Sequence, residues 1–228
     1  MCPQSFLTQH ESGEGSPRDA AMSAAQALEV RLGRTPPGRV LAVAAFGAFL
    51  AFLDATVVNV AFPDIRRSFS HSSVSDLSWV LNAYNIVFAS FLIVCGRLTD
   101  LLGRRRMFAI GTVVFTLSSV ACAAAGSLEL LVAFRVVQAI GAALLVPASL
   151  AVVVEAFPED RRSHAVGLWG ASAALAAGLG PPIGGALVEL GGWRLAFLVK
   201  LPIGHLAYPG LPPPLVESRA PGRRRLPC

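Results

Sequence analysis

The sequence predicts an all-α integral membrane protein, a six-helix transmembrane bundle. Three observations carry that expectation. Hydrophobic residues make up 54% of the chain and charged residues only 14%, against roughly 25% charged in a soluble domain; mean hydropathy is +0.60. Apolar runs close to the ~20 residues that cross a bilayer as a helix recur along the chain. Arginine gathers in alternate connections between those runs, as it does in short cytoplasmic loops.

Residues 1–39 are polar and rich in Ser, Gly, Pro and Glu. They lack the apolar core of a signal peptide and read as a disordered cytoplasmic tail. Residues 20–32 suit a short surface helix, and Met22 is an alternative start. The expected helices cover residues 40–63, 79–95, 107–125, 130–154, 165–190 and 193–208. Residues 209–228, with Pro212, Pro213, Pro214 and Arg223, Arg224, Arg225, read as a second cytoplasmic tail. An even number of crossings puts both termini in the cytoplasm of a multi-pass inner (plasma) membrane protein.

The connection at residues 96–106 is short, basic and turn-forming. Gly96 and Gly103 permit tight backbone there, and Asp100 is one carboxylate among arginines. A solvated loop obeying the positive-inside rule is the plain reading of it. Asp54 lies about 21 Å along its helix at 1.5 Å per residue. A carboxylate at that depth needs a partner or a cavity, unless headgroups wet it from the outer end. Asn59 and Thr56 add polarity but do not share one stripe with Asp54. Arg135 either snorkels outward or joins Gln138, one turn further in, above the small surface of Gly141, Ala142 and Ala143. The span 165–190 is crowded with glycine around Pro181 and Pro182. In a membrane such a span allows close packing and a kink. The last span is the poorest, with Lys200, Pro202 and His205.

Several chemistries find no support. The net charge of +5 sits in loops without interleaved aromatics, so no nucleic-acid partner is expected. Cys2, Cys95, Cys122 and Cys228 have no metal-ligand spacing. No phosphate-cradling glycine run, metal cluster or Ser/His/Asp set is evident. No cofactor, metal, catalytic residue or enzymatic activity is expected.

Four motifs in order resemble the N-terminal half of a major facilitator superfamily transporter, most nearly the fourteen-helix drug:proton antiporters. Leu53-Asp54-Ala55-Thr56-Val57-Val58-Asn59-Val60-Ala61-Phe62-Pro63 resembles their first-helix motif. Gly96-Arg97-Leu98-Thr99-Asp100-Leu101-Leu102-Gly103-Arg104-Arg105 resembles the loop motif between helices two and three. Arg135-Val136-Val137-Gln138-Ala139-Ile140-Gly141-Ala142-Ala143 resembles the fourth-helix motif. Gly178-Leu179-Gly180-Pro181-Pro182-Ile183-Gly184-Gly185 resembles the fifth-helix motif of antiporters. The chain departs at Leu101, where the family commonly has a basic residue, at Ala139, where it has Gly, and at Lys200, where it has Asn. A buried cation at Lys200 needs a partner that the sequence does not name.

The resemblance implies residue roles. Asp54 would be a protonation or cation-sensing site, and Arg135 would tune a nearby carboxylate. With Asn59 and Gln138 they would line the proton and substrate pathway. Gly96, Asp100, Gly103, Arg104 and Arg105 would form the conformational loop, with Asp100 facing a helix N-terminus of the opposite half. Gly180, Pro181, Gly184 and Gly185 would pack against that half. The implied function is proton-coupled export of a hydrophobic, drug-like or antibiotic compound, cations included. Partners would be the lipid bilayer, protons, the substrate, and a missing C-terminal helical half or a second copy. The sequence reads as a truncated form. Its alternative is a non-transporting fragment or membrane interaction protein derived from such a transporter.

Overall fold

The computed structural model describes residues 36–202. The expectations for the tails, residues 1–35 and 209–228, and for the end of the last helix, residues 203–208, lie outside them. Among the described residues, five helices are long and apolar enough to cross a membrane. They are α1 (Pro37–Ser68), α2 (Val74–Leu102), α3 (Arg104–Ala123), α4 (Leu128–Ala156) and α5 (Glu159–Leu198). The all-helical membrane bundle expected from the sequence is therefore present.

α5 is a hairpin rather than one rod. At Gly191 and Gly192 the backbone leaves helical angles, and Gly192 takes φ 71°, a conformation costly for any residue with a Cβ. Contacts with α1 give the direction of each arm. Gly180 and Gly184 pack near Thr56, Val57 and Val60, whereas Trp193 hydrogen-bonds Asp64 and Ser68 near the C-terminal end of α1. Lys200 then lies back beside Asp54. The chain rises along α1, reverses at the glycine pair and descends, so the return arm from Trp193 is a sixth, antiparallel segment. Asp64 receives the Trp193 backbone N–H at 2.9 Å, meeting a donor that the arm's own helix leaves free.

The helices are longer than their apolar runs. α1 begins at Pro37 and continues through Asp64, Arg66 and Arg67 to Ser68; α2 starts at Val74, capped by Ser73, which accepts from the Asp76 N–H. The connection expected at residues 96–106 is helical except at Gly103, which stands alone between α2 and α3 with φ 105°. A single glycine in a left-handed conformation replaces the expected loop. Polar residues at the membrane surface lose nothing by staying helical, because water and headgroups solvate their side chains while the backbone keeps its bonds.

Packing is tiered along the bundle. At the end bearing Ser127, Leu53, Val57, Ile65, Leu77, Leu131, Trp193 and Phe197 form the largest apolar cluster. Leu50, Tyr84, Phe115 and Ala142 fill the middle. Ala44, Val153 and Ala165, joined by Trp169, close the other end. α3 and α4 nearly touch: a Cβ on Gly141 would stand 2.7 Å from the Phe115 nitrogen, and one on Gly111 2.8 Å from the Leu145 nitrogen. Small residues allow that approach, and dispersion across it holds the pair in lipid. α2 and the first arm of α5 bury the least of their surface.

Candidate functional site

A charged cluster occupies the middle of this apolar bundle. Asp54 of α1 is fully buried, as is Gln138, and Arg135 is 1% exposed. Arg135 Nη1 donates to Asp54 Oδ2 at 2.6 Å and to Gln138 Oε1 at 2.8 Å. Its Nε donates to the Val80 carbonyl of α2 at 3.2 Å, and its guanidinium lies 4.0 Å over the Tyr84 ring. Gln138 Nε2 donates to Asp54 Oδ1 at 3.2 Å. Lys200 Nζ, from the return arm, also donates to Asp54 Oδ1. Three segments of chain thus meet at one carboxylate, and α2 joins them through Arg135.

Local sequence explains why these groups converge. Arg135 and Gln138 share a face of α4 at i and i+3, and the same face carries Ala139 and Ala142, both fully buried. Those small residues bring α4 close enough for its guanidinium to reach α1 and α2. Ionic groups in hydrocarbon persist only where paired and hydrogen-bonded. Of the two readings of Arg135, snorkelling and pairing, the geometry is that of pairing. Arg135 and Gln138 are both shut off from solvent by the surrounding helices.

Other expected residues stand elsewhere. Asn59 is exposed, and its Nδ2 donates to the Ala55 carbonyl of its own helix at 2.6 Å; it does not join the cluster. Thr56 bonds its own helix through the Leu53 carbonyl at 3.0 Å and packs against Gly180, where any Cβ would collide with it. Gly180 and Gly184 therefore serve contact within this bundle, not the opposite half as expected. Pro181 and Pro182 are exposed on the far side of the arm, and Gly185 meets nothing that a Cβ would touch. The antiporter-like motif divides between two faces.

At the Gly103 end, Arg104 is the centre of a second charged group. It pairs with Asp100 at 3.5 Å and Glu155 of α4 at 3.7 Å, and Nη1 donates to the Ala151 carbonyl at 3.4 Å. Asp100 is bound to its own end of the bundle. Gly96 lies beside Pro147, whose side chain a Cβ on Gly96 would meet at an ordinary contact distance of 4.0 Å, and Arg105 is half-buried. Leu101 is exposed.

Four contributors take their place only in the structure. Lys200 was recognisable as a lysine within an apolar run, but its partner was not. The Val80 carbonyl and the Tyr84 ring carry no signal, since only packing brings them to Arg135. Asp64, in the connection expected after residue 63, instead lies within α1 and accepts the Trp193 N–H from 129 residues away, a pairing with no local signal. Among the described residues, no group of three or more His, Cys, Asp or Glu is placed to hold a metal.

Membrane-length helices enclosing a paired carboxylate define an integral membrane bundle with a polar interior. The family model described as Major Facilitator Superfamily matches residues 44–225, and the chain belongs to that superfamily. It is 41% identical over 185 residues to the methylenomycin A resistance protein of Bacillus subtilis (strain 168), covering 81% of this chain and 39% of that protein. It is 45% identical over 161 residues to the multidrug resistance protein Stp of Mycobacterium tuberculosis (strain CDC 1551 / Oshkosh), covering 70% of this chain and 30% of that one. The chain thus spans well under half the length of these relatives. The crystal structure of a bacterial homolog of the human lysosomal transporter Spinster, inward-facing and unoccupied, matches with TM-score 0.68 at 21% identity, over 85% of this chain and 47% of that one. That likeness concerns the fold alone.

Proposed function

We propose that this bundle is one half of a secondary active transporter that exports hydrophobic, drug-like or antibiotic compounds, driven by proton entry. The observation that carries the reading is Asp54, fully buried mid-bundle and bonded to Arg135, Gln138 and Lys200. Protonating Asp54 removes the charge that draws Arg135 and Lys200 together. α4 and the Lys200 end of the return arm then lose their ionic tie to α1, while Trp193 stays on Asp64, and the bundle can rearrange. Losing the proton restores the tie. A site cycling this way couples proton movement to helix movement without a nucleotide.

The second bundle comes from further residues of a longer polypeptide or from a second copy, since alternating access needs two bodies rocking about a central site. The sparsely buried faces of α2 and α5 support that pairing. The similarity to relatives named for drug and antibiotic resistance supports the substrate class, and the motif resemblance supports the fourteen-helix antiporters as the nearest subfamily. The Gly103 end, with Arg104, Arg105 and Arg106, faces the cytoplasm, and so do both termini.

The test is efflux of a hydrophobic dye from the cytoplasmic face, read as its accumulation inside everted vesicles with an acid lumen, prepared from cells expressing the chain from its native locus. Asp54→Asn should abolish gradient-driven efflux while leaving the protein in the membrane. Unchanged efflux would remove Asp54 from the mechanism.

A further inference from the structure

The buried charges of the bundle do not balance. Among the described residues, the charged side chains that are buried are Asp54, Arg135 and Lys200, two cations against one carboxylate. Arg135 is otherwise well supplied with acceptors, from Gln138 and Val80. Lys200 is not. Its ammonium carries three N–H donors. Among the described residues its hydrogen-bond partner is Asp54 Oδ1, which Gln138 shares. The Phe197 ring lies 4.4 Å from Nζ. Donor capacity and one positive charge are left over.

Lys200 is also held in place. It is fully buried, and its arm is fixed by Ser119 Oγ donating to the Phe197 carbonyl at 2.9 Å and by Trp193 on Asp64. An uncompensated cation in an apolar interior is costly. An arriving anion relieves that cost, because it supplies the missing counter-charge and accepts the spare N–H groups. An arriving cation adds to it, and must also displace from Asp54 an ammonium tethered by the chain itself.

We propose that Lys200 sets the charge preference of the site, favouring hydrophobic monoanions, carboxylates among them, over organic cations. The proposal rests on the transport reading above and narrows its substrate class.

The experiment uses two probes with one aromatic body and opposite charge, pyrenebutyrate and pyrenebutyltrimethylammonium. Each is titrated by fluorescence against the purified full chain in detergent, with empty micelles as the blank and circular dichroism to verify helix content. The native chain should bind the anion more tightly. Lys200→Asn should lower the anion-to-cation affinity ratio about tenfold or more, a tenfold change being ~1.4 kcal/mol. Lys200→Arg, which keeps the charge, should preserve the ratio. Tighter cation binding by the native chain, or a ratio unchanged in Lys200→Asn, overturns the assignment of Lys200 and leaves transport standing. Binding of neither probe by any folded variant also overturns it, because Lys200 then offers no anion site; the transport reading stands or falls separately, on the dye assay with Asp54→Asn.

Discussion

Arg135 illustrates how one side chain joins three helices. Its charge meets Asp54, its Nε meets the Val80 carbonyl and its flat face lies on Tyr84. Sequence reasoning alone favours lysine as a fair substitute if only charge matters. The geometry argues otherwise, since an ammonium has no planar face and no fork. Arg135→Lys should therefore keep part of the pairing and lose the bridge to α2. Arg135→Ala should be worse, because it also removes the contacts to Val80, Gln138 and Tyr84 and leaves a cavity, costing about 2–5 kcal/mol as emptying a large buried site does, although Asp54 keeps Lys200 and Gln138. Thermal unfolding in detergent reads both. Equal midpoints for native and Arg135→Lys protein would show that the fork contributes nothing. That Asp54 and Arg135 were both notable was legible, because each is a charge within an apolar run. Their pairing was not, because 81 residues separate them and helix rotation about its axis is fixed by packing, not by hydropathy.

Helix contacts follow the same division. Hydropathy located the crossings, and glycine density marked α5 as a close packer. The partner of that packing was misassigned, since Gly180 and Gly184 meet α1 while Pro181 and Pro182 face outward. A motif read as one string has two faces once it is wound at 3.6 residues per turn. Helix ends were also misjudged at Asp64 and at residues 96–106, where polar residues remain helical. Gly180→Ala should drive α5 from α1 and lower stability by about 1–3 kcal/mol, the usual range for overpacking. Adding Thr56→Gly removes the side chain it strikes and should recover most of that loss. Additive losses in the double variant would mean that the two residues do not meet. Gly141→Val should be more harmful, because its obstacle is the backbone of Phe115, which no single side-chain change relieves.

For the whole molecule, orientation is the property most open to direct measurement. In a variant without native cysteines, Arg105→Cys should resist an impermeant thiol reagent in intact cells, and Ser70→Cys, exposed between α1 and α2, should react. The opposite pattern would invert the bundle. The last segment reads as weakly apolar in the sequence, and among the described residues the helix breaks at Gly191 and Gly192 before the return arm. That reversal has a mechanical consequence. The return arm is fastened to α1 by two carboxylates, Asp64 at its start and Asp54 near Lys200, about 15 Å apart at 1.5 Å per residue. Only the second fastening depends on a charge that a proton can remove from the middle of the bundle; the first holds a backbone N–H beside the glycine turn. Neutralising Asp54 therefore does not set the arm adrift. It unlatches one end while Trp193 on Asp64 and the Phe197 carbonyl on Ser119 stay fastened, so the freedom a proton would confer is confined to the last turn of the arm, where Lys200 stands.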